Sequence, residues 1–161
     1  MFVQRGENGL AWKAFVKGKL DSDKGRMKVR LLDWGCAMER CVWKQEEMKK
    51  LMKLREEQKN LIKENDSAAV GKMLEEIERR YEGEMEKLQA ELVGLLEKKA
   101  ETDEMLKALT EDEREFVELR FEKGYGFDYI GMQLHMSRAT VFRLQDRTLE
   151  KLMQMEKDET T

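Results

Sequence analysis

From Tyr81 onward, Met85, Leu88, Leu92, Leu95, Lys99, Thr102, Leu106 and Leu109 follow one another at alternating spacings of four and three. Only an α-helix brings such positions onto one face, and the pattern is a coiled-coil seam with polar interruptions at Lys99 and Thr102. No proline occurs anywhere in the 161 residues, so no ring clash or missing donor breaks a long helix. Upstream, Leu31, Trp34, Met38, Cys41, Met48 and Met52 step by threes and fours before the phase slips to Leu51, Leu54, Leu61 and Ile62. That spacing predicts a helix over residues 27–63. Asn65-Asp66-Ser67-Ala68 holds three good capping residues in a row, which places a turn near residues 64–67 and a second helix over about 67–108. Two such helices fold back as an antiparallel hairpin roughly 50 Å long at about 1.5 Å rise per residue.

A two-helix hairpin buries little by itself. Its seam is expected to find a second copy of the chain, with a dimer favoured, or else to close on the C-terminal domain. Gly71, Gly83 and Gly94 lie inside the second helix, where each costs up to about 1 kcal/mol relative to Ala, and no sequence rationale accounts for them.

Charge and composition exclude several classes. Lys and Arg number 31 and Asp and Glu 34, a net charge of −3, so the chain as a whole is no polycation for nonspecific nucleic-acid binding. No run of about 18 apolar residues is present and the opening MFVQRGENGLAWKAF carries no apolar secretory block, which points to a cytoplasmic protein without membrane partners. Cys36 and Cys41, five apart, diverge by about 140° on a helix and read as buried thiols in a reducing compartment. With His135 the single histidine, no metal ligand set is expected. No histidine-partnered nucleophile and no glycine-rich phosphate loop is present either, so neither a catalytic site nor a cofactor is expected, and the chain reads as a non-enzyme. Residues 1–26 form a basic arm with Arg5, Lys13, Lys17, Lys19, Lys24 and Arg26 against Glu7, Asp21 and Asp23, either disordered or holding one short helix. Met27 offers an alternative start.

The informative stretch lies beyond Leu109. Thr110-Glu111-Asp112-Glu113 is a capping box, with three acids at the positive end of the helix it opens. That helix ends at Lys123-Gly124-Tyr125-Gly126, a short helix spans about 127–134, and a longer one runs from Arg138 to about Met153, leaving 154–161 as an acidic tail. Gly131 allows two helices to cross closely, Ile130, Leu134, Met136, Val141 and Leu144 meet between them, and Ser137 caps the second. This is the grammar of a helix-turn-helix over residues 109–153.

Residues 109–152, LTEDEREFVELRFEKGYGFDYIGMQLHMSRATVFRLQDRTLEKL, resemble region 4 of bacterial sigma factors, whose last helix reads the −35 promoter element. They resemble still more closely the sigma-like C-terminal domains of small phage and prophage transcription regulators. By that resemblance Ser137 and Arg138 open the recognition helix, Thr140 and Val141 match the family's Thr-Val pair, and Thr148 and Leu149 stand at its closing pair. Ala139 replaces the acidic base-reading residue of primary sigma factors and Phe142 a basic one, so their promoter sequence does not transfer. His135 stands where glycine is common in the turn, which implies a mildly strained turn. The resemblance also implies RNA polymerase as a partner. No counterpart of the region that melts the −10 element is present, so a complete sigma factor is not expected.

With Val141, Leu144 and Thr148 facing the core, helical spacing turns Ala139, Phe142, Arg143 and Asp146 away from it, with Arg138, Thr140 and Arg147 on the flanks. The expected DNA-binding residues are Ser137, Arg138, Ala139, Thr140, Phe142, Arg143, Arg147 and Lys151. Arg138 and Arg143 suit guanine edges, the methyls of Ala139 and Thr140 and the Phe142 ring suit thymine methyls, and Ser137, Arg147 and Lys151 suit phosphates. Phe142 equally suits packing against a neighbouring helix or a dimer partner, Arg147 an ion pair with Asp146 or Glu150, and His135 a plain turn position.

The expected architecture is all-α: a long antiparallel coiled-coil hairpin over 27–108, then the helix-turn-helix. The expected function is a sequence-specific regulator of phage or prophage type that binds double-stranded DNA beside the bacterial nucleoid. Two alternatives stand beside it, a small terminase-like DNA-packaging subunit and a coiled-coil scaffold that binds no DNA.

Overall fold

The computed structural model describes residues 22–63 and 69–159. Most of the basic arm, the turn expected near 64–67 and the last two residues lie outside the described residues. Every described element is helical: α1 (Asp23–Lys63), α2 (Ala69–Leu106), α3 (Glu111–Val117) running on through a π-helical turn (Glu118–Glu122), α4 (Phe127–Leu134) and α5 (Arg138–Glu159). Among the described residues no helix is long and apolar enough to cross a membrane.

The helix ends differ from expectation for local reasons. α1 starts ahead of Met27, because Ser22 caps it: Gly25 N donates to Ser22 Oγ at 2.9 Å and Arg26 N to Ser22 O at 2.9 Å. α2 stops at Leu106 and closes with a tight turn in which Leu109 N donates to Leu106 O at 3.1 Å. α5 runs through most of the expected acidic tail, since nothing breaks it and Met155 still packs on the core.

The chain divides into two compact units. One holds residues 37–63 with 69–97. Here α1 and α2 run antiparallel: Lys44 pairs with Glu91, Lys59 and Arg55 with Glu78, and the Arg55 guanidinium lies 3.9 Å from the Tyr81 ring centre. The α2 seam is the expected one, but the inward stripe of α1 is not. It runs Ala37, Cys41, Lys44, Met48, Leu51 and Arg55, while Met38, Met52, Leu54 and Leu61 are exposed. The spacing of four and three holds along this stripe because charged residues occupy core-edge positions, their stems along the seam and their heads on α2 glutamates.

The other unit joins residues 22–36 and 98–159. Its core draws Met27 and Leu31 from α1, Met105, Leu106 and Leu109 from the end of α2, and Phe116, Val117, Phe121, Ile130, Val141, Leu144, Leu149 and Leu152 from the C-terminal helices. Each such buried side chain contributes about 1.5–3 kcal/mol. The seam's polar interruptions find their partners here. Trp34 Nε1 donates to Asp103 Oδ1 at 2.7 Å, Lys99 Nζ to Asp103 Oδ2 at 2.8 Å, and Arg30 Nε to Thr102 Oγ1 at 3.4 Å. Burial raises the Asp103 pKa, but these donors outweigh it and hold the carboxyl below its ordinary value. Gly35 gives the closest approach. A Cβ there would lie 2.7 Å from Phe121 C and 2.9 Å from Glu122 Cα, so α1 passes directly over the backbone of the π-helical turn.

Candidate nucleic-acid interface

The capping box forms as its residue types require. Glu113 N donates to Thr110 Oγ1 at 3.3 Å and Thr110 N to Glu113 Oε1 at 2.9 Å. Glu113 then does more than cap, for it is fully buried and takes Lys151 Nζ at 2.7 Å and Arg147 Nε at 3.3 Å. Burial pushes its pKa up, yet the Lys151 ammonium and the Thr110 donors prevail and bring it down to about 2.

The turn between α4 and α5 is tight. Met136 N donates to Gly131 O at 2.8 Å, and a Cβ on Gly131 would stand 2.7 Å from Met136 O. His135 takes a left-handed conformation at φ 56°, the strain its sequence position implied. Ser137 caps α5, its Oγ accepting from Thr140 N at 3.2 Å and lying 2.9 Å from Thr140 Oγ1. Thr148 is buried and satisfied by donating to Leu144 O at 2.7 Å.

The expected contact residues separate into two groups. Arg138, Ala139, Phe142 and Arg143 are exposed on the half of α5 nearest the turn. Arg138 Nη1 lies 3.5 Å from Asp128 Oδ1, its guanidinium 5.7 Å from the Phe142 ring centre. Phe142 stacks on Phe127 with centroids 4.2 Å apart and remains 40% exposed, so it packs on the neighbouring helix and still offers surface. Arg143 has no partner among the described residues. Farther along, Arg147 and Lys151 turn to Glu113, not to Asp146 or Glu150. Those two acids instead receive Lys24 of α1, at 3.4 and 3.8 Å.

Residues 105–154 match the family model of Sigma-70, region 4. This segment is a sigma-70 region 4-like helix-turn-helix. No curated protein and no solved structure matches the chain. The matched family is one of DNA-binding, non-enzymatic modules, and the match starts inside the last turn of α2, where Met105 and Leu106 already belong to the core. Sequence reasoning missed several residues around it. Glu113 was visible only as a cap, since nothing in the sequence shows that α5 brings two cations to it. Lys24 figured only in a charge count, and Asp128 and Gly35 carried no signal in the sequence.

Proposed function

We propose that the chain is a sequence-specific DNA-binding transcriptional regulator of phage or prophage type. It reads promoter DNA with the first half of α5, oligomerises through its N-terminal helices and is held at the promoter together with RNA polymerase in the bacterial cytoplasm. The observation that supports this reading is the exposed set Arg138, Ala139, Phe142 and Arg143, placed just past the turn of a region 4-like helix-turn-helix. Arg143, without a partner among the described residues, and Arg138, beside an exposed carboxylate and the Phe142 ring, suit guanine edges. Ala139, the Thr140 methyl and the free edge of Phe142 suit thymine methyls, while Ser137 serves phosphate beside its capping role. Arg147 and Lys151 share themselves between Glu113 and the backbone of the DNA. So few phosphate contacts give a weak single module, which a second copy or the polymerase must reinforce.

The test is light scattering for mass, then a gel shift on the same sample with fragments of the source genome near 50 and 200 mM salt, a range over which phosphate-driven binding weakens strongly. Selection of one upstream fragment, lost in Arg138→Ala with Arg143→Ala, supports the regulator. A ring of many copies would move the reading to DNA packaging, and no binding at either salt would leave a protein-binding scaffold.

A further inference from the structure

The hairpin unit leaves several large apolar side chains uncovered. Among its described residues only Ala37, Cys41 and Met85 are shielded to 9% exposure or less, whereas Met38 is 56%, Val42 50%, Val93 52% and Leu96 45% exposed. These four are not scattered. Lys63, Glu75, Arg79 and Glu82 line one groove along the hairpin and Lys50, Leu54, Glu84 and Lys87 the other, which fixes the flank of α1 that shares a side with each flank of α2. Steps of seven from Lys63 lead through Glu56 and Lys49 to Val42, and Met52 leads through Gln45 to Met38. On α2 the same steps run from Glu75 through Glu82 and Gln89 to Leu96, and from Arg79 through Glu86 to Val93. Met38, Val42, Val93 and Leu96 therefore lie on one side, at one end of the hairpin.

At two heights along that side the helices carry charges of opposite sign, whereas at the open end Lys63 stands level with Lys72. In the antiparallel register set by Lys44 opposite Glu91, Lys49 stands level with Glu86, Glu56 with Arg79, Val42 with Val93 and Met38 with Leu96. Among the described residues Lys49 and Arg79 reach only glutamates of their own helix, Glu46 and Glu76, and both remain more than 70% exposed.

We infer that this flank docks a second copy of the chain, two hairpins stacking side to side as an antiparallel four-helix bundle. A two-fold axis along the bundle lays α1 of each copy over α2 of the other and preserves height. Lys49 then meets the second copy's Glu86, Glu56 its Arg79, Val42 its Val93 and Met38 its Leu96, every contact occurring twice. The bundle covers the apolar end and pairs Lys49 with Glu86 and Glu56 with Arg79 in one operation, while the groove on the other side, beside the exposed Trp43 and Leu54, stays open. The inference rests on the reading that the chain oligomerises through its N-terminal helices and names the surface that does so.

The experiment is sedimentation equilibrium of the full chain over a concentration series, with far-UV circular dichroism to follow helix content. Wild type is expected to be a dimer. Val42→Glu with Val93→Glu would bury unpaired charge in the apolar end of the interface and is expected to raise the dissociation constant at least about tenfold with helicity kept. Lys49→Glu alone should weaken the dimer, and adding Glu86→Lys should restore it. A dimer that survives the valine substitutions, or a charge swap that fails to rescue, overturns this surface while oligomerisation stands. A wild-type monomer at every concentration overturns oligomerisation as well, and the gel shift reports independently on DNA binding.

Discussion

Lys151 Nζ donates to Glu113 Oε1 at 2.7 Å, across 38 positions of sequence, and so ties α5 to α3. The carboxylate also closes the capping box and meets Arg147. Substituting Glu113→Ala leaves a cap open and withdraws the shared partner of two cations. Stability is expected to fall by about 2–4 kcal/mol, read as a lower urea midpoint at unchanged slope.

The same carboxylate makes the protein sensitive to acid. Its pKa of about 2 in the folded chain lies below the ordinary value of 4.5, so the folded state gains stability from Glu113 above pH 4.5 and loses it as pH falls toward 2. The loss is at most about 3 kcal/mol, reduced by the solvent that reaches the two cations. Acid titration followed by circular dichroism should show a transition between pH 4.5 and 2 that flattens in Glu113→Gln, whose stability is lower than wild type above pH 4.5 and converges with it toward pH 2.

Alanine substitutions of glycines separate close contact from open surface. Gly35→Ala and Gly131→Ala drive a Cβ against backbone and are expected to destabilise by about 1–3 kcal/mol or more. At Gly71, Gly83 and Gly94 no atom lies within 4 Å, and alanine there is expected to stabilise by about 0.5–1 kcal/mol each. Thermal melts of the five variants give the sign of each effect.

Arg143 and Arg147, one helical turn apart, should behave differently. Arg143→Ala is expected to lower affinity for the selected fragment about tenfold or more with stability unchanged, since no described residue holds its side chain. Arg147→Ala should lower stability by about 1 kcal/mol and weaken all fragments alike. Gel shifts on selected and unrelated fragments, paired with melts, distinguish the two.

Lys24 offsets two acids on α5. Lys24→Ala leaves Asp146 and Glu150 uncompensated beside the proposed DNA-contact residues, with little effect on folding because the pair is exposed. Affinity for DNA is expected to drop several-fold near 50 mM salt and less near 200 mM, where screening is stronger.

Much of this was legible in the sequence because it arises from local chemistry. The capping box, the Gly131 crossing, the span Phe127–Leu134 and the seam of α2 depend on residues close along the chain, and each stands where the spacing put it. The inward stripe of α1 was not legible. Apolarity alone selects Met38, Met52 and Leu54, while the fold selects Lys44 and Arg55, whose partners lie on another helix. Among the site residues, exposure of Arg138 and Arg143 is a consequence of helical spacing, whereas the capture of Arg147 and Lys151 depends on a carboxylate far away in sequence. Gly35 illustrates the same limit, for only the assembled chain shows which backbone passes beneath it.

The region 4-like unit is built from segments on either side of residues 37–97, with Leu31 before them and Leu106 after them in one core. In terms of chain topology the hairpin is therefore an insertion into a discontinuous domain, spliced in at Cys36 and Lys98. Its arms are expected to tolerate lengthening or trimming by matched heptads without disturbing that core. A fragment cut at the start of the family match, by contrast, loses Met27 and Leu31 and leaves a hydrophobic wound where α1 lay.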